Sequence, residues 1–193
     1  MALLDLSQLK ARLDVTRTDN DVLLQAILDA ALDTAAAETR RQLGPLGGTG
    51  DPPVAVTRTL DGQRAIRVPD ARSIATVTID GAAVTGWQLA GRRPAGTTPA
   101  PYLILPAPAT GTVAATGQYG FTTLPAALAD AIYTHAARHY RERDALYGDT
   151  ITLDDGSDVH FYRQFPARVR AVYDLYRIAP DPIRTLQLAS LGP

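Results

Sequence analysis

Two histidines, His135 and His139, stand four residues apart in a stretch with helical periodicity, which is the spacing of two metal ligands on one helix. A zinc-protease helix would also carry a glutamate directly after the first histidine, as its general base. The sequence has Ala136 at that position. Both histidines fall on the apolar face of the predicted helix. We therefore interpret them as core histidines and predict no metal site.

Two further stretches contain residue types that bind ions. The run 154–158, DDGSD, resembles part of a calcium loop, but it lacks the alternating ligand order and the closing glutamate, so a turn explains it better. The glycine-rich segment 44–53, GPLGGTGDPP, suggests a phosphate cradle. No Gly-Lys-Ser/Thr follows it, however, and it leaves a predicted helix instead of joining a strand to one. We predict a linker there.

Catalytic signatures are missing from the sequence. No Gly-x-Ser-x-Gly occurs, and the four serines have no base close by in the chain. We predict no catalytic residue and no cofactor. A small hydrolase or glycan-binding module remains the alternative function, because paired carboxylates can assemble from distant positions. Trp87, the only tryptophan, and Tyr102 could stack on a sugar, although core packing also accounts for both.

Composition limits the class of protein. The chain has 193 residues, of which 46% are hydrophobic, and a formal net charge of −1. A sizeable core is expected, and global attraction to nucleic acid or to an anionic membrane is not. The lack of cysteine excludes disulfides and thiolate metal sites. No apolar run has the length of a membrane span and no signal-peptide pattern is present, so we expect a soluble protein made in the cytoplasm.

Helical periodicity is found at both ends of the chain. It predicts a short helix over 5–14 and a long one over about 19–43. The long helix is apolar around most of its circumference, which requires burial on two sides, in a core, at a subunit interface or both. A third helix over 125–147 begins at Pro125, and a fourth over 166–178 begins at Pro166.

The middle of the chain changes to a period of two. Residues 54–120 contain several short strand patterns, with Asp61-Gly62 and Asp80-Gly81 as predicted hairpin turns. We predict an α+β fold of about four helices, with an antiparallel β-sandwich or barrel-like insertion between the second and third helices. A further hairpin is predicted at 149–165.

One group of residues resembles a known family. An aromatic–glycine element, Tyr119-Gly120-Phe121, is followed by Leu124-Pro125 and an Ala-rich helix that ends in YRER at 140–143. This order is similar to the third helix of head–tail connector (adaptor) proteins of long-tailed bacteriophages, prophages and gene-transfer particles. The N-terminal stretch 6–44 resembles the connector N-terminus, and VPDARSIATVTIDG resembles a segment of the family branch that carries a β insertion.

The resemblance implies a structural role without catalysis. It implies a connector-type bundle divided into N-terminal helices (1–46), an inserted β region (47–121), C-terminal helices (122–178) and an extended tail (179–193). About twelve copies would form a ring beneath the portal, join capsid to tail and line the DNA exit channel. Implied partners are the chain itself, the portal, and a tail-side stopper or terminator protein, while double-stranded DNA passes without specific binding. The expected place is the head–tail junction of a virion or phage-like particle, assembled in the cytoplasm of a bacterial host.

Two groups of residues are predicted to make these contacts. The basic cluster of the third helix and the aromatic pair of the 149–165 hairpin are predicted at a ring or tail interface: Arg138, Arg141, Arg143, Phe161 and Tyr162. The tail, kept from continuing the last helix by two prolines, is predicted to dock on the portal through Ile183, Leu186, Leu188 and Leu191. We interpret Arg40-Arg41, like the third-helix arginines, as part of a solvated face or as interface salt-bridge residues in preference to DNA ligands.

Overall fold

The computed structural model describes residues 3–47, 51–91, 98–147 and 165–178, with the backbone alone over 143–147. Its elements in chain order are α1 (Leu6–Leu13), α2 (Asp21–Thr39), β1 (Val54–Ile79), β2 (Ala82–Ala83), β3 (Gln88–Ala90), β4 (Ala100–Tyr119), α3 (Ala126–Tyr147) and α4 (Ala167–Tyr176). The predicted α+β class, with antiparallel strands inserted between the second and third helices, is confirmed. Most of the predicted hairpin at 149–165 and the whole tail lie outside the described residues.

The chain divides into two compact units. Among the described residues, the helical unit consists of 3–38, 125–147 and 165–175, and the sheet unit consists of 39–47, 51–91, 98–124 and 176–178. The helical unit is therefore discontinuous in sequence, with the sheet segment inserted between its two parts.

In the helical unit, α1 has a well-defined start and end. The Asp5 carboxylate caps it by accepting the Ser7 N–H at 2.9 Å, and Asp14, in the left-handed conformation, ends it. The buried Leu9 faces inward. The Tyr133 hydroxyl of α3 accepts the Asp5 N–H at 2.7 Å and donates to the Asp5 carbonyl at 3.2 Å. These bonds tie the N-terminus of α1 to the middle of α3.

Within the single chain the second helix buries one face only, so the prediction that a core buries it on two sides is wrong, and burial of its other side at a subunit interface stays a prediction. Its buried positions recur every three to four residues: Leu24, Ile27, Leu28, Ala31 and Ala35. Val22 is 87% exposed, and Ala26, Ala30 and Ala37 are also exposed. Small alanines outside the core produced the apolar pattern. The helix also ends earlier than residue 43, because Arg40 takes a left-handed backbone with φ of 57°.

One antiparallel sheet, in the order β2-β1-β4-β3, forms the sheet unit. The Asp80-Gly81 turn is confirmed: both residues have positive φ, and Ile79 pairs with Ala82 across them. The Asp61-Gly62 turn is wrong. Asp61 pairs with Thr110 and Gln63 with Ala109, so β1 continues along β4 and Gly62 is the extra residue of a bulge. A hairpin turn and a bulge both use a glycine with a left-handed backbone, which is why Asp61-Gly62 predicted a hairpin.

The core of the sheet unit is made by β1 and β4 themselves. Ala71 pairs with both Ala100 and Tyr119, which are the two ends of β4, so β1 bends near Asp70. Beyond the bend, residues 73–79 of β1 pair with residues 113–118 of β4. The bent strands surround a buried cluster: Leu60, Ile66, Val68, Ala71, Val77, Leu103, Leu105, Val113, Ala115 and Tyr119. The Tyr119 hydroxyl donates to the Ala115 carbonyl at 2.7 Å, which satisfies it inside this core.

Arg41 and Asp70 form a buried ion pair in the sheet unit, here called the Arg41–Asp70 junction. Both side chains are 1% exposed and in direct contact. Arg41 also donates from Nε to the Tyr176 carbonyl at 2.6 Å, and Asp70 accepts the Gln42 N–H at 2.9 Å. Burial raises the pKa of Asp70 to about 6, against the opposing charge and hydrogen bonds of Arg41. The pair joins the segment after α2, the bend in β1 and the end of α4.

Backbone bonds around the junction join the same segments. The Ile178 N–H donates to the Thr39 carbonyl at 2.9 Å, and the Phe121 N–H donates to the Leu43 carbonyl at 3.2 Å. The Gly120 N–H donates to the Asp70 carbonyl at 2.9 Å. Gly120 has a φ of 78°, and a Cβ on it would overlap the carbonyl oxygen of Gly44. Glycine is therefore required here both for its conformation and for its size.

Candidate interaction surface

The third helix presents a polar face to solvent that brings together some of the predicted interface residues. Its start is set by Pro125, whose carbonyl accepts the Ala129 N–H at 3.0 Å. Leu128, Ile132 and Ala136 are buried on one side. Thr134, Arg138 and Arg141 lie on the other side. With Arg12 of α1 they line an open cleft of about 560 Å³, here called the α1–α3 cleft.

Two of the arginines that line the α1–α3 cleft form ion pairs. Arg12 contacts the Asp130 carboxylate at 2.7 Å, and Arg168 of α4 contacts its other oxygen at 3.3 Å. Arg138 pairs with Glu142, one helical turn away, at 2.5 Å. Exposed pairs of this kind contribute about 0–1 kcal/mol each, so they can exchange for ion pairs with a partner at little cost.

The α1–α3 cleft combines charged, aromatic and apolar side chains. Arg141 is exposed and donates to the Arg12 carbonyl at 3.5 Å, which places its guanidinium beside α1. The guanidinium of Arg12 lies 5.0 Å from the centre of the Tyr133 ring, a cation–π distance. Ala137 and Pro166 provide apolar lining. Arginine and aromatic side chains are enriched at protein–protein contact surfaces, so the residue types of this cleft suit such a contact.

The structure brings Arg138 and Arg141 together with two residues that the sequence did not indicate, Arg12 and Arg168. These come from α1 and α4, and no local spacing relates them to α3. The side chain of Arg143 and all of Phe161, Tyr162, Ile183, Leu186, Leu188 and Leu191 lie outside the described residues. Their predicted roles stay predictions.

The two histidines have different environments, and the prediction that both face the core is wrong for His139, which is exposed. His135 is half-buried, and its ring meets Phe165 edge-on at 4.9 Å between centroids. Burial lowers the pKa of His135, and the charges of His139 and Arg138 act in the same direction, against Glu142. Within the described ranges, no three His, Asp or Glu side chains lie close enough together to hold a metal ion.

The aromatic residues of the alternative function belong to the sheet core. Tyr102 is 7% exposed. Trp87 is half-buried and packs against the core cluster of the sheet unit. Stacking on a sugar needs an open ring face. The described conformation therefore favours core packing for both residues.

Comparison with known proteins gives structural relatives only. No family model matches the sequence, and no curated protein matches it. The fold is similar to a chain of the neck of an empty GTA particle, computed with C6 symmetry, with a TM-score of 0.56 and 20% identity over 93% of this chain and 91% of that one. It is also similar to a chain of the virion of a native gene transfer agent (GTA) particle, with a TM-score of 0.59, 18% identity and the same coverage of both chains.

This chain has the fold of gene transfer agent particle proteins. At the level of the fold, the similarity confirms the resemblance to connectors of phage-like particles that the sequence indicated. In the part of the chain that the structure describes, no helix is long and apolar enough to cross a membrane.

Proposed function

We propose that this protein is a structural head–tail adaptor of a phage-like particle, without catalytic activity. About twelve copies form a ring beneath the portal, join the capsid to the tail and line the channel through which DNA leaves. The observation that carries the proposal is the similarity to a neck chain over 93% of this chain and 91% of that one. A likeness that spans both chains almost completely includes the helical unit as well as the sheet unit.

Native mass measurement of the purified protein, alone and mixed with the portal protein of the same particle, tests this proposal. We expect a closed homo-oligomer, alone or on the portal, because ring-forming chains associate through heterologous contacts that close. A chain that stays monomeric with the portal at every concentration contradicts the proposal. Glycan binding or hydrolysis by that monomer would then favour the alternative.

Reversing the charge of Arg141 is expected to weaken assembly. Arg141 is exposed at the α1–α3 cleft, so Arg141→Glu should leave the fold intact while replacing the positive charge that the cleft offers to a partner with a negative one. We expect at least about a tenfold loss of oligomer or portal complex in the mass measurement. Arg170→Glu, at an exposed position of α4, is the matched control. Equal losses in the two variants would show that the cleft is not an interface.

Deleting residues 150–160 is expected to leave a folded chain that no longer enters particles. The sequence there combines acidic turn residues with apolar ones and runs directly into Phe161 and Tyr162, which are residue types favoured at interfaces. Far-ultraviolet circular dichroism checks the fold, and the protein content of purified particles checks incorporation. Normal incorporation of the deletion variant would count against a role of this segment in ring contacts.

Truncation after Ile178 tests the portal-binding tail. Ile178 is 4% exposed and its N–H donates to Thr39, so a chain that ends there keeps these contacts. The removed residues include Ile183, Leu186, Leu188 and Leu191, each worth about 1.5–3 kcal/mol if buried against a partner. We expect unchanged thermal stability of the free protein and strongly reduced association with portal-containing heads. A loss of thermal stability would instead assign the tail to its own core.

A further inference from the structure

The sheet unit has an arginine-lined cleft of its own, formed by residues 40–42, which follow α2, and by residues of β1. Arg40 follows the last residue of α2, and Arg58 and Arg67 belong to β1. All three side chains are exposed, and they line a cleft of about 380 Å³ above the Arg41–Asp70 junction. We call it the Arg40–Arg58–Arg67 cleft. The three arginines are widely separated in sequence, so the sequence showed no basic cluster beyond Arg40-Arg41.

The charges in this cleft are not balanced. Four guanidinium groups line it, and the single lining carboxylate is Asp70. The two oxygens of Asp70 already accept hydrogen bonds from Arg41 and from the Gln42 N–H. Burial raises the pKa of Asp70 and the charge of Arg67 lowers it, but Arg67 forms no hydrogen bond with Asp70. Among the described residues, no carboxylate forms an ion pair with Arg40, Arg58 or Arg67. The α1–α3 cleft differs, because two of its three lining arginines form ion pairs, Arg12 with Asp130 and Arg138 with Glu142.

The backbone at the cleft is held in an unfavourable conformation that a different residue would relieve. Arg40 has a φ of 57°, in the position after a helix where glycine or asparagine is usual. Its carbonyl accepts a hydrogen bond from Arg67 Nη2 at 2.7 Å, which holds two of the three arginines in one arrangement. Strained residues of this kind are concentrated at functional sites.

We propose that the Arg40–Arg58–Arg67 cleft binds phosphate groups of the backbone of double-stranded DNA. Guanidinium groups match phosphate oxygens in geometry and carry their charge at every physiological pH. Phosphate contacts need no base recognition, which fits a cleft lined mainly by arginine. An acidic protein segment is the competing class of ligand. DNA is favoured because the inference rests on the proposed function, in which the ring encloses DNA, so every copy meets a dense row of phosphates.

Salt-dependent binding of a short DNA duplex, followed by fluorescence anisotropy with the full-length protein, tests the inference. Three phosphate contacts predict a slope of about −2.7 for the logarithm of the binding constant against the logarithm of salt concentration. Arg58→Gln should reduce the slope by about 0.9, equally for duplexes of different sequence. Its side chain donates only to the neighbouring Thr57 carbonyl, at 3.4 Å, so the fold should not depend on it. Arg170→Gln, an exposed arginine of the helical unit, should leave the slope unchanged.

Arg40→Gly gives a second variant in which stability and binding are expected to move in opposite directions. Glycine removes the cost of the left-handed backbone, so we expect the Tm to rise by about 2–4 °C. The loss of one guanidinium should reduce the salt slope by about 0.9. A merely structural arginine would not produce this combination, because its replacement would change stability without changing the salt slope.

Several outcomes would overturn the inference. One is a slope that stays the same in the Arg40→Gly/Arg58→Gln double variant. Another is binding of poly-glutamate, with loss in the same variants, by a protein that does not bind the duplex; this would assign the cleft to an acidic protein partner. A chain that joins the portal but does not bind DNA contradicts this inference alone. A chain that binds DNA through these arginines but never forms a ring contradicts the adaptor proposal and leaves the cleft as a DNA site.

Discussion

Replacing Asp70 with alanine is expected to lower the free energy of unfolding by about 3–5 kcal/mol. The Arg41 and Asp70 side chains are each 1% exposed. Removal of the carboxylate leaves a buried guanidinium without its counter-charge. The Gln42 N–H also loses its acceptor. Urea unfolding followed by the fluorescence of Trp87, which packs against the sheet core, reports the loss directly.

Two further variants isolate the ion pair. Asp61→Ala removes an exposed carboxylate from the same strand and should change the unfolding free energy by no more than about 0.5 kcal/mol. The double variant Arg41→Met/Asp70→Ala should lose less than the sum of the two single variants, because no buried charge remains. Additive losses would mean that the two side chains do not stabilise each other.

Replacing Gly120 with alanine is expected to be nearly as damaging, at about 2–5 kcal/mol. The left-handed backbone costs about 1–2 kcal/mol for any residue with a Cβ. Overlap of the new methyl group with the Gly44 carbonyl adds about 1–3 kcal/mol, because two backbone segments have to move apart. The same displacement would stretch the bonds from Gly120 to Asp70 and from Phe121 to Leu43.

Gly86 is a control that separates the cost of the left-handed backbone from the cost of the overlap. Gly86 has a φ of 77°, against 78° for Gly120, but the nearest atom to a Cβ at Gly86 is 3.8 Å away. Gly86→Ala therefore carries the conformational cost without the overlap. The difference between the two variants in urea unfolding measures the cost of the overlap. Equal losses would show that the segments at residues 44 and 120 separate freely.

Local patterns predicted most of the elements and one of the two turns. The Asp80-Gly81 turn was predicted correctly because its strands are neighbours in sequence. Asp61-Gly62 has the same chemistry, but its flanking residues both pair with β4, about fifty positions away. Only the partner strand distinguishes a hairpin turn from a bulge, and no local signal identifies that partner. The length of α2 was overestimated for a related reason, because nothing in the residue type of Arg40 predicts a left-handed stop.

The candidate surfaces were predictable only where they lie on one element. Arg138 and Arg141 share a face of α3 and could be grouped by helical spacing. Arg12 and Arg168 come from α1 and α4 and lie near them only because the helices pack together. In the sheet unit, the path of β1 brings Arg58 and Arg67 to the same cleft as Arg40. Asp70 gave no signal in the sequence. A lone aspartate after Val68-Pro69 is typical of a turn, and its burial against Arg41 depends on contacts among distant segments.

The insertion of the sheet segment into the helical unit has a consequence for the newborn chain on the ribosome. Residues of α2 such as Leu24 and Leu28, buried in the finished protein, leave the ribosome long before α3 and α4. The sheet segment lies between, and Val54 pairs with Gly117, so β1 also has to wait for its partner. At about 5–20 residues per second, α2 remains without the second half of its unit for several seconds. During that interval we expect the apolar face of α2 to be the part of the nascent protein that chaperones bind.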